Sequence, residues 1–223
     1  MDRLGNESEP LNPQRLGFGA MMAFQSLFLV FGLGIGLWGG LFPETAWYSV
    51  SSKLASANWF GLGVLASTGL GALVGISIFL AIYIASRWEL AWIRDIEDRI
   101  GEGFLPLLSK MNRIQLFLLA ALAGVGEELC FRWALQGCLE SFLLNWFAAN
   151  VAWLLALAAV SLLFGALHAV TFGYFCLATS IALLLGIAVP AGLGIWGVMV
   201  AHGLYDFIAF LWLLGRRKQG TSS

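Results

Sequence analysis

The sequence predicts an all-α, polytopic transmembrane helix bundle of about six spans, and three observations carry that prediction. Of the 223 residues, 60% are hydrophobic and only 11% are charged, whereas a soluble domain carries about 25% charged residues. Mean hydropathy is +0.84. The apolar residues come in runs of about 20, the length at which a helix crosses the hydrocarbon core of a bilayer. The net charge of −1 offers no basic footprint for nucleic acid.

Residues 1–15 are polar, contain Pro10 and Pro13, and read as a cytoplasmic tail. Asp2, Glu7 and Glu9 and the length of the first apolar run argue against a secretory signal. The first span covers about 16–42 and is ended by Pro43. Within it Gly32, Gly36 and Gly40 recur every fourth residue, a ridge on which another helix can approach closely. Packing within the chain is expected there ahead of a dimer interface. Residues 44–57 form a loop with Trp47 and Tyr48 at interfacial depth. The second span covers about 59–86, with Gly71 and Gly75 as a second close-packing pair.

Residues 87–113 are the most charged stretch. Trp88, Trp92, Ile93, Ile96 and Ile100 recur at helical spacing among acids and arginines, which predicts an amphipathic helix at the membrane surface serving as a connector. The third span starts near 114. Its pattern runs to about 144, too long for a straight crossing, and a bend is expected at Gly124 and Gly126. The fourth span covers about 151–167 and the fifth about 174–189, stopped by Pro190. The sixth covers about 192–214, and 16–215 is read as one helical domain followed by the tail 216–223. Arginine and lysine gather near the start, after span two and after span six. Six spans put these on one side, and the positive-inside rule makes that side, with both termini, cytoplasmic. Cys130 and Cys138 lie eight residues apart on one helix, about 12 Å of rise, too far for a disulfide.

The spans hold few ionisable residues: Glu127, Glu128, Arg132, His168, His202 and Asp206, with Glu140 near a helix end. Each charge at the centre of a membrane helix costs roughly 2.5–3.5 kcal/mol on insertion scales. Three of them within Glu127–Arg132 is a burden that points to chemistry rather than packing. Glu128 and Arg132 are four apart with the acid first, the favourable order for an ion pair on one face. Glu127 points about 100° away from Glu128 and is left unpaired. His202 and Asp206 share a face, as do Phe164 and His168. Counted from a turn near Asn145, Glu127 and His168 reach heights of roughly 27 and 35 Å, close enough to meet after tilt. Both histidines of the chain and an unpaired carboxylate, on three separate spans, form a candidate site.

Glu127-Glu128-Leu-Cys-Phe-Arg132, Phe164-Gly-Ala-Leu-His168 and His202-Gly-Leu-Tyr-Asp206, in that order on successive spans, resemble the CAAX-protease and bacteriocin-processing family of intramembrane endopeptidases, which includes the type-2 CAAX prenyl proteases. The likeness covers about 112–214. It implies that Glu127 is the general base, aided by His168 in activating a water, and that His202 and Asp206 face the oxyanion. Glu128 and Arg132 would support the helix and the electrostatics of Glu127, and Phe164 belongs to the second motif. The family's prenyl proteases carry Asn where this chain has Asp206. An ionised Asp cannot donate, so Asp206 is expected to orient His202 by accepting its N–H. The implied substrate is a membrane-associated or lipidated peptide, such as a lipidated protein C-terminus, met in the lipid bilayer. No cofactor and no metal are expected.

Other readings stay open at this level. By type, Glu127, His168, His202 and Asp206 would also suit zinc, although no His-Glu-x-x-His helix is present. A non-enzymatic scaffold or immunity protein is a second alternative, and a proton-coupled transporter a third.

Overall fold

A computed structural model describes residues 13–38, 63–88 and 90–220. The described residues are helical and contain no strand. Helix α1 runs Pro13–Trp38, α2 Val64–Ser86, α3 Ala91–Gly103 and the short α4 Leu105–Leu108. Helix α5 begins at Arg113 and continues without a break through π-helical turns at Leu129–Gln136 to Leu143. Helix α6 is Ala149–Leu167, α7 Phe172–Ala188 and α8 Gly194–Gly220. The loop at 44–57, with Trp47 and Tyr48, and Gly40 lie outside the described residues.

Five helical segments among these are long and apolar enough to cross a membrane, and the protein is an integral membrane protein. The last of the five, Phe172–Arg216, is 45 residues. As one rod it would be about 68 Å long, twice the hydrocarbon thickness. It is not one rod. Gly192 has φ 116° and Gly194 φ 67°, values glycine adopts freely, and Pro190 lies between the two halves. Tyr174 near the start of α7 and Asp206 in α8 line the same cavity, so the chain reverses at Val189–Leu193. The expectation of about six spans is met by these two passes and the four helices before them.

Small residues set the packing, as a bilayer interior demands when apolar burial offers no gain over lipid. Helix α8 lies along α2 and α5, α6 on α7, and α1 along α5 and its π-helical turns. A methyl group on Gly71 would strike the carbonyl of Gly197, and one on Gly75 the carbonyl of Ala201. Trp196 Nε1 donates to Thr68 Oγ1 at 2.8 Å across the same contact. On α1, Gly32 faces the backbone of Cys130 and Gly36 the ring of Trp133. Gly32 and Gly36 of the first ridge and both glycines of the second are therefore used inside the chain.

The bend expected at Gly124 and Gly126 is absent. Helix α5 passes both without interruption, and its irregularity follows the glutamates. The two glycines admit neighbouring backbones instead. A methyl on Gly124 would stand 2.6 Å from the Gly203 nitrogen, and one on Gly126 would stand 3.1 Å from the Gln25 carbonyl oxygen. The side chain of Asn112 accepts from the Gln115 N–H and the Gln115 side chain accepts from the Asn112 N–H, both at 2.9 Å. This capping box fixes where α5 begins. Ile93 and Ile96 on α3 are buried against the bundle while Trp92 stays partly exposed, in keeping with the amphipathic pattern.

Candidate active site

Three helices deliver the polar side chains to one point. Glu127 and Glu128 end the regular part of α5, where desolvated carboxylates sit among Leu119, Ala120 and Ala123. His168 follows the last residue of α6 and caps it. His202 and Asp206 come from the middle of α8. Glu127, Glu128, Arg132 and His202 are all buried, whereas His168 and Asp206 are partly exposed toward a cavity.

Glu127 stands at the centre. Its Oε2 lies 3.9 Å from His168 Nε2 and 3.8 Å from His202 Nε2, and no hydrogen bond satisfies that oxygen. Around it the other groups are tied down. His168 Nδ1 is 2.8 Å from the Phe164 carbonyl oxygen. A carbonyl only accepts, so Nδ1 carries the proton and, in the neutral ring, Nε2 presents a lone pair toward Glu127. The Phe164 ring stacks on His168 with centroids 4.3 Å apart and meets His202 edge-on at 6.1 Å. Arg132 lies over the other reach of Phe164, its Cζ 5.6 Å from the centroid.

Glu128 pairs with Arg132 as the four-residue spacing implies, Oε2 to Nε at 3.3 Å. It has a second role that the spacing did not reveal. Its Oε1 accepts from His202 Nδ1 at 2.8 Å. This corrects the expectation for Asp206. Asp206 Oδ2 is 3.6 Å from His202 Nε2, beyond a hydrogen bond. One turn along the same helix, the short Asp side chain does not reach, whereas Glu128 arrives from the facing helix with an extra methylene. Glu128, and not Asp206, orients the imidazole.

The meeting of Glu127 with His168 also fits the chain lengths better than a count from Asn145 suggested. The reversal occupies residues 144–148, so Glu127 lies 16 residues before the end of α5 and His168 19 after the start of α6. That is about 24 and 29 Å of helix.

These groups line a cavity of about 970 Å³ whose walls are mainly apolar. Glu127, His168, His202 and Asp206 sit on it, and so do Trp92, Ile93, Ile96 and Ile100, the apolar face of the surface helix α3. Ser86, Glu97 and Arg99 line it as well, and three further polar residues that the sequence motifs did not single out reach it beside the motif groups. They are Tyr174 on α7, Tyr205 on α8, stacked on His202 at 5.1 Å, and Gln25 on α1. Gln25 and Ser26 interrupt an otherwise apolar run in the first span, and that was the available signal. Among the described residues no three His, Cys, Asp or Glu side chains are grouped as a metal ion would need.

The family model described as "Type II CAAX prenyl endopeptidase Rce1-like" matches residues 109–208. That segment is similar to the Rce1-like family. It contains all three motifs, carried on α5, α6 and α8, and in it the chain is similar to a protease family of the CAAX type. The matched segment leaves out α1 to α4, so Gln25 reaches the site from outside the family match. No curated protein and no solved structure matches the chain.

Proposed function

We propose that this protein is an intramembrane endopeptidase that cleaves membrane-associated or lipidated peptides with a water activated by Glu127 and His168. One observation carries the reading. Two acceptors, Glu127 Oε2 and His168 Nε2, face each other 3.9 Å apart at the wall of a large apolar cavity. Two lone pairs at that distance call for a donor of two protons between them, and a water within hydrogen-bond reach of both is such a donor. Proton transfer from it to Glu127 as it attacks a carbonyl is general base catalysis.

The remaining groups suit the opposite side of the carbonyl. His202 donates Nδ1–H to Glu128. To donate toward an oxyanion through Nε2 as well, it would act as an imidazolium, and Glu127, Glu128 and Asp206, all within 4 Å, supply the counter-charge. Proton return from Glu127 to the leaving amine then completes the cycle. The apolar walls, extended by α3, fit a lipid chain or apolar peptide side chains. The likeness to CAAX prenyl endopeptidases supports a prenylated C-terminus as substrate. The basic ends support a topology with both termini cytoplasmic.

The test is cleavage of a panel of prenylated and plain C-terminal peptides by the detergent-purified protein. Wild type is compared with Glu127→Gln, each with and without a strong chelator. We expect cleavage by wild type that is abolished by the substitution and indifferent to chelator. Abolition by chelator would replace the water activation drawn here with a zinc mechanism. No cleavage of any panel member, with folded protein, would sink the protease reading in favour of a scaffold or transporter.

A further inference from the structure

Outside the three motifs, the side chain of Gln25 lines the same cavity wall as the Glu127 carboxylate, near enough to act on it as a hydrogen-bond donor. A carboxylate only accepts, so the amide nitrogen of Gln25 faces it and the amide oxygen points elsewhere. That oxygen, Oε1, is buried with no partner, and Gln25 lines the same cavity as Glu127, His168 and His202. The approach that makes this contact possible is specific. Helix α1 comes against α5 at Gly126, where an added methyl would stand 3.1 Å from the Gln25 carbonyl oxygen and 3.3 Å from the Leu29 nitrogen. The residue beside the central glutamate is thus a glycine on which the Gln25 backbone sits.

We propose that Gln25 is a positioning residue for Glu127: its amide N–H holds one carboxylate oxygen and leaves Oε2 turned to the two histidines. The proposal rests on the reading of Glu127 as general base and gives the first span, outside the family match, a part in the reaction. A carboxylate in an apolar cavity can rotate about its last torsion, a broad and soft one. A single fixed donor removes that freedom, and orientation of a base is worth rate only in the transition state. Gln25 therefore acts on kcat and leaves substrate binding in the cavity alone. The unpartnered Oε1 gives the choice of residue a further reason, because Gln offers a donor and an acceptor at once where Glu or Met would not.

The experiment compares Gln25→Met and Gln25→Glu with wild type for kcat and KM, and repeats Gln25→Met in a Glu127→Asp background. Asp is one methylene shorter and withdraws from the Gln25 amide. The expected result is a kcat lower by about ten- to hundredfold for both single substitutions, as for one hydrogen bond to a charged group. KM should stay within about twofold, and in Glu127→Asp the further loss from Gln25→Met should be under about threefold. An unchanged kcat overturns the proposal. So does an equal loss in both backgrounds, which would mark a merely structural contact. Infrared spectroscopy supplies a readout free of turnover. The carboxyl band that Glu127→Gln removes should move in Gln25→Met, and an unmoved band overturns the contact. A protein that cleaves nothing but shows the shift would sink the protease reading while leaving Gln25 as the group that orients Glu127.

Discussion

His202 Nδ1 lies 2.8 Å from Glu128 Oε1, and that hydrogen bond joins α8 to α5 at the level of Glu127. Glu128 is fully buried and its other oxygen faces Arg132 Nε at 3.3 Å. The three side chains form a continuous polar chain across two helices. Among the described residues the Arg132 nitrogens have no hydrogen-bond partner, so the ion pair with Glu128 is the counter-charge on which the arginine depends.

Breaking that chain from one end should be costly. Removing one member of a buried ion pair leaves an uncompensated charge and costs about 3–5 kcal/mol. Arg132→Met is therefore expected to lower the thermal midpoint in detergent sharply. Arg132→Met combined with Glu128→Gln should recover a large part of the loss, because the second change removes the orphaned charge. A single Arg132→Met that melts with the wild type would show that the pair contributes nothing.

His168 is predicted to behave in the opposite way. Among the described residues its side chain hydrogen-bonds only locally, to the Phe164 carbonyl at the end of its own helix, and its 3.9 Å approach to Glu127 is too long for a hydrogen bond between helices. His168→Gln should keep the thermal midpoint and lose about 10²–10⁴-fold in kcat, the range for loss of acid–base assistance. Measuring both on one preparation decides the matter. Loss of folding with retained specific activity would reassign His168 to structure.

The contrast between these residues shows what the sequence could convey. Periodicity and run length gave the spans to within a few residues, because each span must be apolar along its whole length. The four-residue spacings predicted Glu128–Arg132, since one helix fixes its own faces. Contacts between helices were legible only in part. The meeting of Glu127 and His168 could be argued from length, but the choice of Glu128 over Asp206 as the partner of His202 depends on how α8 rolls against α5. Gly124 sets that contact against Gly203, and a glycine in a helix does not by itself tell a close approach from a hinge. The part of Gln25 is illegible for the same reason. Nothing within the first span says which other helix a polar side chain will meet.

Asp206 carries the one departure from the family pattern, and its replacement is informative. Asp206 Oδ2 stands 3.6 Å from His202 Nε2, one of three carboxylates around that ring. Asp206→Asn removes a negative charge from the side where an oxyanion is proposed to form and adds an N–H. Cleavage should stay within about threefold of wild type or rise, while Asp206→Leu, which offers neither a charge nor a dipole, should fall by about 10²-fold. Equal losses in Asn and Leu would show that the carboxylate itself is required, and the oxyanion role of this arm would be dropped.

The last prediction concerns the contact that places α8. Gly75 lies against Ala201, the residue before His202, so closely that a methyl group at position 75 would meet the Ala201 carbonyl oxygen. Backbone cannot step aside as a side-chain tip can, and forcing extra carbon into such a contact costs about 1–3 kcal/mol. Gly75→Val should therefore lower the thermal midpoint. It should also lower kcat, because the displaced strip of α8 is the one that carries His202. Gly69 is on the same helix with nothing within 4 Å of an added methyl, and Gly69→Val serves as the control for β-branching and lost flexibility. If Gly75→Val and Gly69→Val melt together and cleave alike, the close approach of α2 does not hold the catalytic face of α8 in place.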